Sequence, residues 1–103
     1  MDILLSDAVA LDEAGVFAIV LESIPDDAAA AVTAKVSVPT IGIGAGPQCD
    51  GQVLVCHDVR GLSGAPSPPF AKRYAQLGEL VSAATREYVN EVKTGAFPPA
   101  TKP

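Results

Sequence analysis

The chain has 103 residues, of which 49% are hydrophobic, and a formal net charge of −5. That length suffices for one domain, but Trp is absent and Ala supplies much of the apolar content, so we expect a thin core. An acidic chain without clustered Lys and Arg argues against nucleic-acid binding, and its apolar runs are shorter than the roughly 20 residues of a membrane span.

The beginning of the chain carries acidic residues where a secretion signal carries basic ones, so a soluble cytoplasmic protein is expected. In that compartment Cys49 and Cys56 are expected to be reduced thiols. A single His and the lack of a Cys-x-x-Cys pair argue against a metal site built from this chain.

The first part of the chain alternates between helix and strand patterns. Ile3 to Ala14 have apolar side chains at helical spacing, and Gly15 stands where a C-terminal cap belongs. Val16 to Ile24 form an apolar run typical of a strand covered on both faces. Pro25 closes this strand, and the Ala-rich residues 26–36, which begin with two Asp, predict a second helix.

The second part continues the alternation and then becomes irregular. Thr40 to Gly46 predict a buried strand that opens into a glycine loop, and Gln52 to His57 predict a third strand. The Gly/Pro/Ser-rich residues 61–69 predict a loop. Apolar side chains at three- and four-residue steps predict a long helix from Phe70 to Lys93, which Gly95 caps.

Helices that alternate with strands over short connections predict parallel strands with helical crossovers. Three parallel strands alone leave two open edges, which is unfavourable for an isolated sheet. We therefore expect residues 1–103 to be a single partial domain, the last part of a larger α/β barrel or sheet. Residues 96–103 are expected to be a frayed tail.

Glu22 is the leading candidate for chemistry, because in parallel α/β folds ligands and catalytic side chains lie at the C-terminal ends of strands. A carboxylate there can act as a general base, although it can equally be a solvated residue or a cap for the next helix. The glycines of "GIGAG", residues 42–46, suit either a ligand loop or a structural turn.

Two weaker patterns follow. Asp50, His57 and Asp58 surround the third predicted strand, but a lone His without a nucleophile partner is usually structural. "FAKRYA", residues 70–75, is a basic cluster, and most such clusters are solvated faces or subunit contacts.

Three segments in this order are more specific than any one of them: "LLSDAVALDEAGVFAIVLESIP", "VPTIGIGAGPQCDGQVLVCHD", and "FAKRYA" with "REYVNEVKTGAFP". Together they resemble the C-terminal portion of the ketopantoate hydroxymethyltransferase family, over nearly the whole chain. The resemblance implies a (β/α)8 TIM barrel, of which this chain would hold about the last three β/α units.

The resemblance also implies the transfer of a hydroxymethyl group from 5,10-methylenetetrahydrofolate to the keto acid 3-methyl-2-oxobutanoate, giving 2-dehydropantoate for pantothenate biosynthesis. It implies Mg²⁺ as cofactor, homo-oligomeric assembly and Glu22 as the catalytic base. No Mg²⁺ ligand maps onto this sequence, and neither Asp50 nor Asp58 is taken as a substitute.

Two departures from the family pattern bear on this expectation. Ser23 and Ile24 stand where the family commonly has Cys and Val. A (β/α)8 barrel needs about 250 residues, so the Mg²⁺ ligands would lie in an N-terminal part, and the chain alone is expected to be inactive. The alternative is a non-catalytic half-barrel that binds itself or a partner through open sheet edges.

Overall fold

The computed structural model describes residues 1–64 and 66–100. The chain forms two compact units, one from Met1 to Val55 and one that begins at Cys56. Two compact units can still belong to one folding domain, so the single partial domain over residues 1–103 stays a prediction.

The first unit is an α/β layer with a parallel sheet. Its helices are α1, Asp2–Glu13, and α2, Asp26–Lys35, and its strands are β1, Ile19–Glu22, β2, Thr40–Ile43, and β3, Gly51–Gln52. The strands lie in the order β1-β2-β3, and both neighbouring pairs are parallel. The predicted alternation and parallel pairing are therefore confirmed.

The ends of both helices follow from local chemistry. After α1 the chain turns at Gly15, whose φ of 95° suits a residue without a side chain. In α2 the first turn carries Asp26 and Asp27 and the last turn carries Lys35, which complements the helix dipole at both ends. The Oδ1 atom of Asp27 also accepts a hydrogen bond of 2.9 Å from the Ala28 N–H.

The core lies between one face of the sheet and the two helices. Its buried apolar members are small for the most part: Ala8, Ile19, Leu21, Ala29, Val32 and Ala45. Val32 and Thr40 are the largest side chains that are fully buried among the described residues. Because alanines bury little area, the core is thin, as the composition predicts.

Within the first unit, both helices pack on one face of the sheet. The opposite face, which we call the bare face, is covered by neither helix of this unit. In β1 the side chains alternate, so that Ile19 and Leu21 are buried while Val20 is 58% exposed and Glu22 is exposed. The prediction that this strand is covered on both faces is therefore wrong for the described chain. The alternation is that of a strand with one covered face.

The second unit corrects two sequence-based expectations. The predicted strand from Gln52 to His57 is wrong beyond Gln52, because β3 ends there and Cys56–Arg60 form a short helix, α3. The long helix begins at Leu77 rather than Phe70, and this helix, α4, is Leu77–Thr94. Gly95 caps it with a φ of 83°, as predicted.

Residues 70–76 are held outside the helix by contacts distant in sequence. The Tyr74 N–H donates to the Val59 carbonyl at 2.8 Å, and the Gly78 N–H donates to the Gly61 carbonyl at 2.8 Å. A Cβ atom at Gly61 would collide with the Ala75 carbonyl. The glycine at residue 61, with a φ of 67°, is thus required for the loop to pass the start of α4.

The tail expected from residue 96 contacts α4 through Phe97. The Phe97 N–H donates to the Glu91 carbonyl at 3.1 Å, and its ring meets the Tyr88 ring edge-on at 5.7 Å. Residues 101–103 of the predicted tail lie outside the described residues. Within the described chain, no helix combines the length and apolar character needed to cross a membrane.

Candidate functional site at the C-terminal edge of the sheet

Glu22 is the last residue of β1 and lies on the bare face. It pairs in register with Ile43, the last residue of β2. Directly after it, Ser23 adopts a φ of 54°, and its N–H donates to the Ile43 carbonyl at 2.9 Å. A non-glycine residue in this left-handed region is uncommon, and here it turns the chain out of the strand immediately behind the acid.

The bare face around Glu22 is apolar. Because paired residues of parallel strands point to the same side, Val20, Ile41 and Ile43 share this face with Glu22. Ile41 and Ile43 are half-buried, and Val20 is more than half exposed. The arrangement is an apolar surface with one carboxylate at its C-terminal end.

The glycine loop begins at the same edge of the sheet, since residue 44 follows β2 directly. Gly44 and Gly46 have φ values of 67° and 79°. A Cβ atom at Gly46 would lie 2.5 Å from the Asp26 Cγ atom, so the loop packs closely against the first turn of α2. The Gln52 side chain donates to the Gly46 carbonyl at 2.9 Å.

These contacts explain the glycine at residue 46 by close packing and positive φ. Ala45 between the two glycines is fully buried in the core, which fixes the loop further. The structural role is therefore accounted for, while a ligand-binding role of the loop stays a prediction.

Asp50 lies at the opposite edge of the sheet from Glu22. Its Oδ2 atom accepts a hydrogen bond of 2.9 Å from the N–H of Thr40, the first residue of β2. The Thr40 hydroxyl is fully buried and lies 2.8 Å from the Thr33 hydroxyl. Asp50, the residue before β3, is thus joined to the first residue of β2.

His57 and Asp58 lie on α3, in the second unit. The His57 Nδ1 atom is 3.5 Å from the Cys56 Sγ atom. The backbone carbonyl of His57 accepts a hydrogen bond of 2.8 Å from the Leu62 N–H. Cys49 is half-buried against the core, and both cysteines are free thiols. No contact in the described chain brings the His57 ring to a carboxylate.

The described residues form no cluster of metal-ligating side chains for the Mg²⁺ that the resemblance implies. In proteins this ion takes octahedral oxygen ligands, usually one or two carboxylates together with waters or substrate oxygens. Among residues 1–64 and 66–100, no three His, Cys, Asp or Glu side chains come together in a way that could hold a metal ion.

One feature beside Glu22 was not predicted. The left-handed conformation of Ser23 accompanies its backbone hydrogen bond to Ile43, and a Ser-Ile-Pro sequence carries no signal for it. Only the Pro two residues later indicated that the strand ends nearby.

The chain is similar to proteins of known activity. The family model described as ketopantoate hydroxymethyltransferase matches residues 1–100. A 3-methyl-2-oxobutanoate hydroxymethyltransferase of Pelobacter propionicus is 57% identical over 95 residues, covering 92% of this chain and 35% of the relative. Proteins of the same name from Citrifermentans bemidjiense and Pyrobaculum aerophilum are 58% and 55% identical, each with 36% of its length covered. The chain thus spans about a third of the length of the curated relatives it matches.

Proposed function

Because the chain belongs to the ketopantoate hydroxymethyltransferase family, we propose that it forms the C-terminal part, about the last three β/α units, of a (β/α)8 barrel. We further propose that the complete barrel transfers a hydroxymethyl group from 5,10-methylenetetrahydrofolate to 3-methyl-2-oxobutanoate, giving 2-dehydropantoate in the cytoplasm. The parallel sheet with both helices of its unit on one face supports this architecture.

The position of Glu22 on the bare face carries the proposal. In a β/α barrel the helices cover the outside, and the other face of each strand points into the barrel. Val20, Ile41 and Ile43 would then fill the interior, and Glu22 would stand at the C-terminal mouth, where active sites of this fold lie. A position at the mouth of the barrel would account for a carboxylate at the end of an otherwise apolar strand.

In this proposal Glu22 is the general base. The C3–H bond of the keto acid breaks, its proton moves to the Glu22 carboxylate, and the electron pair delocalises onto the neighbouring keto oxygen. Water adds to the one-carbon unit of the folate, its two C–N bonds break with a proton taken up at each nitrogen, and tetrahydrofolate leaves the unit as formaldehyde. C3 then forms a bond to the formaldehyde carbon, and the resulting alkoxide takes the proton held by Glu22.

The chain needs the remainder of the barrel for this chemistry. No Mg²⁺ ligand set exists among the described residues, so we propose that the ligands come from the part of the relatives that the chain does not cover. The same part would cover the bare face of the sheet and close its open edges, and the completed protein would assemble as a homo-oligomer.

Complementation tests this function. The chain alone, with Mg²⁺, 3-methyl-2-oxobutanoate and methylenetetrahydrofolate, should form no 2-dehydropantoate. Co-expressed with the part of the Pelobacter propionicus relative that it does not cover, it should form product. Turnover by the chain alone would contradict the claim that it is incomplete.

A second candidate function rests on the exposed apolar surfaces. α4 buries no residue among those described and exposes Leu80, Val81 and Tyr88, and the sheet has a bare face. Such surfaces suit a non-catalytic module that pairs with itself or a partner. A complementation assay in which the two parts bind each other without any turnover would favour this reading.

A further inference from the structure

The second unit contains a cavity that the proposed reaction does not use. It has a volume of about 600 Å³ and lies between the loop of residues 61–64 and the first turns of α4. Pockets that hold small molecules have volumes of about 300–1,000 Å³. The cavity is therefore large enough for a ligand of several non-hydrogen atoms.

Its charged lining is cationic. Arg73 and Arg86 both line it, with Glu79 as the one carboxylate among the described lining residues, and Ser63 and Ser82 add hydroxyl groups. Two guanidinium groups against one carboxylate give a net positive lining, although the whole chain carries a charge of −5.

Arg73 is held in place at the wall of the cavity. Its Nε atom donates to the Ser67 hydroxyl at 2.9 Å, and one terminal nitrogen donates to the Gln76 side-chain oxygen at 3.4 Å. Arg73 is half-buried, so its guanidinium is positioned before any ligand arrives. Such preorganisation reduces the entropy cost of binding.

Arg86 is the contrasting member of the pair. It is exposed on α4 and has no hydrogen bond or ion pair to another residue in the described part of the chain. Glu79, Ser82 and Arg86 recur at steps of three and four residues, so they share one face of α4. The unpaired charge of Arg86 is available to a ligand that occupies the cavity.

The uneven distribution of charge along the chain also favours an anionic ligand in the second unit. Before Cys56 the sequence has eight acidic residues and one basic residue, whereas from Cys56 onward it has four acidic and six basic residues. Anions are therefore repelled by the first unit and attracted to the second.

We propose that this cavity binds a small ligand with two neighbouring anionic groups. Arg73 and Arg86 each hold one group, because a guanidinium presents paired N–H donors to a phosphate or carboxylate, and the two serine hydroxyls donate to the remaining oxygens. The ligand is either a phosphorylated small molecule or a short chain of glutamyl carboxylates. The site does not depend on Glu22 or on the reaction proposed for it.

The test uses the whole 103-residue chain and two probes, inorganic pyrophosphate and the dipeptide γ-glutamylglutamate, at constant ionic strength. Amide NMR spectra should show saturable shifts at Ser63, Gly64 and Ser82 in the millimolar range or below. Arg86→Gln should weaken binding at least about tenfold, the loss of one charged hydrogen bond. Lys93→Gln, the same charge change on α4 outside the cavity, should weaken it less than about twofold.

Ser82→Asp provides a second variant, because it places a negative charge in the cavity and should abolish the shifts while α4 remains folded. Tighter binding of pyrophosphate identifies a phosphorylated ligand, and tighter binding of the dipeptide identifies a glutamyl chain. Shifts that do not saturate, equal affinity in Arg86→Gln, or equal losses in Arg86→Gln and Lys93→Gln would overturn the proposal.

Discussion

At the scale of single residues, Glu22 and Ser23 form a unit at the end of β1. Ser23 turns the backbone away through its left-handed conformation, and its hydrogen bond to Ile43 fixes the end of the strand. Glu22 is thereby held at the rim of an apolar face, with its carboxylate free of the core. The backbone directly behind the acid is thus fixed by the turn at Ser23.

Glu22→Gln in the complemented barrel tests the proposed role. Gln keeps the size and most hydrogen bonding of Glu but cannot accept the proton, so the rate of product formation should fall by about 10²–10⁴-fold. Steady-state assays of 2-dehydropantoate formation measure this change.

Two controls accompany that variant. Glu13→Gln makes the same chemical change on the exposed surface of α1 and should leave the rate unaltered. Ser23→Cys is a small change directly beside the acid and should change the rate far less than Glu22→Gln. A rate within about threefold of wild type for Glu22→Gln, well under the general-base range, would show that the acid is structural.

Gly46 is the second residue whose substitution has a specific expected effect, here on stability. Gly46→Ala places a Cβ atom against the Asp26 carboxyl group and forces a positive φ on Ala, so the free energy of unfolding should fall by about 2–3 kcal/mol. Gly15→Ala is the matched control, since φ is also positive there but no atom lies within 4 Å. It should cost only about 1–2 kcal/mol. Equal urea midpoints for the two variants would contradict the close packing of the loop on α2.

At the scale of elements, α1 is tied to the loop that precedes β2 by one carboxylate. The Asp12 Oδ2 atom accepts the Ser37 N–H at 2.7 Å, and Oδ1 accepts the Ser37 hydroxyl at 2.8 Å. The hydrogen bond from the Ser37 backbone, followed by that from its hydroxyl, lowers the pKa of Asp12 below its usual value.

This lowered pKa predicts an acid-dependent contribution to stability. A carboxyl whose pKa is lower in the folded state stabilises the fold above its unfolded pKa of about 3.9, and the contribution is lost as the pH falls through the folded pKa. The difference in urea midpoint between wild type and Asp12→Asn should therefore shrink between pH 6 and the acid range below pH 4. A difference that stays constant over that range would contradict the linkage.

The elements also show what local sequence can and cannot predict. α1, β1, α2 and β2 follow from patterns within a dozen residues, and the structure contains all four. The predicted third strand does not extend beyond Gln52, although Val53 and Val55 have strand propensity. These two side chains are 46% and 53% exposed, so no packing against a second layer favours an extended backbone there. The prediction that the long helix begins at Phe70 is wrong because the Tyr74 N–H donates to the Val59 carbonyl instead. No local sequence pattern encodes this contact.

The candidate site was predictable to a similar degree. A strand that ends in Glu, with Pro three residues later, places the acid at the sheet edge, and parallel pairing then brings the glycine loop to the same edge. The bare face, the strained Ser23 and the cavity at Arg73 and Arg86 depend on how distant segments pack. Sequence alone could not supply them.

At the scale of the whole molecule, the exposed apolar surfaces predict self-association of the isolated chain. Val20 on the bare face and Leu80 and Tyr88 on α4 are more than half exposed. Association removes apolar surface of this kind from water. Light scattering coupled to size-exclusion chromatography should show a mass that rises with concentration.

A matched pair of variants locates this association. Val20→Lys places a charge on the bare face and should shift the chain toward monomer, whereas Ala10→Lys, on the exposed side of α1, should not. A wild-type chain that stays monomeric and unfolds cooperatively would speak against both an incomplete barrel and association through the sheet.

Proton exchange at C3 of the keto acid tests the central claim most directly, since it isolates the step assigned to Glu22 from folate chemistry. The complemented barrel is incubated with 3-methyl-2-oxobutanoate in D₂O without folate, and loss of the C3 proton signal is followed by NMR. We expect exchange by the wild-type protein and a reduction of about 10²-fold or more in Glu22→Gln, with bound keto acid retained. Exchange at the wild-type rate in Glu22→Gln would contradict the account.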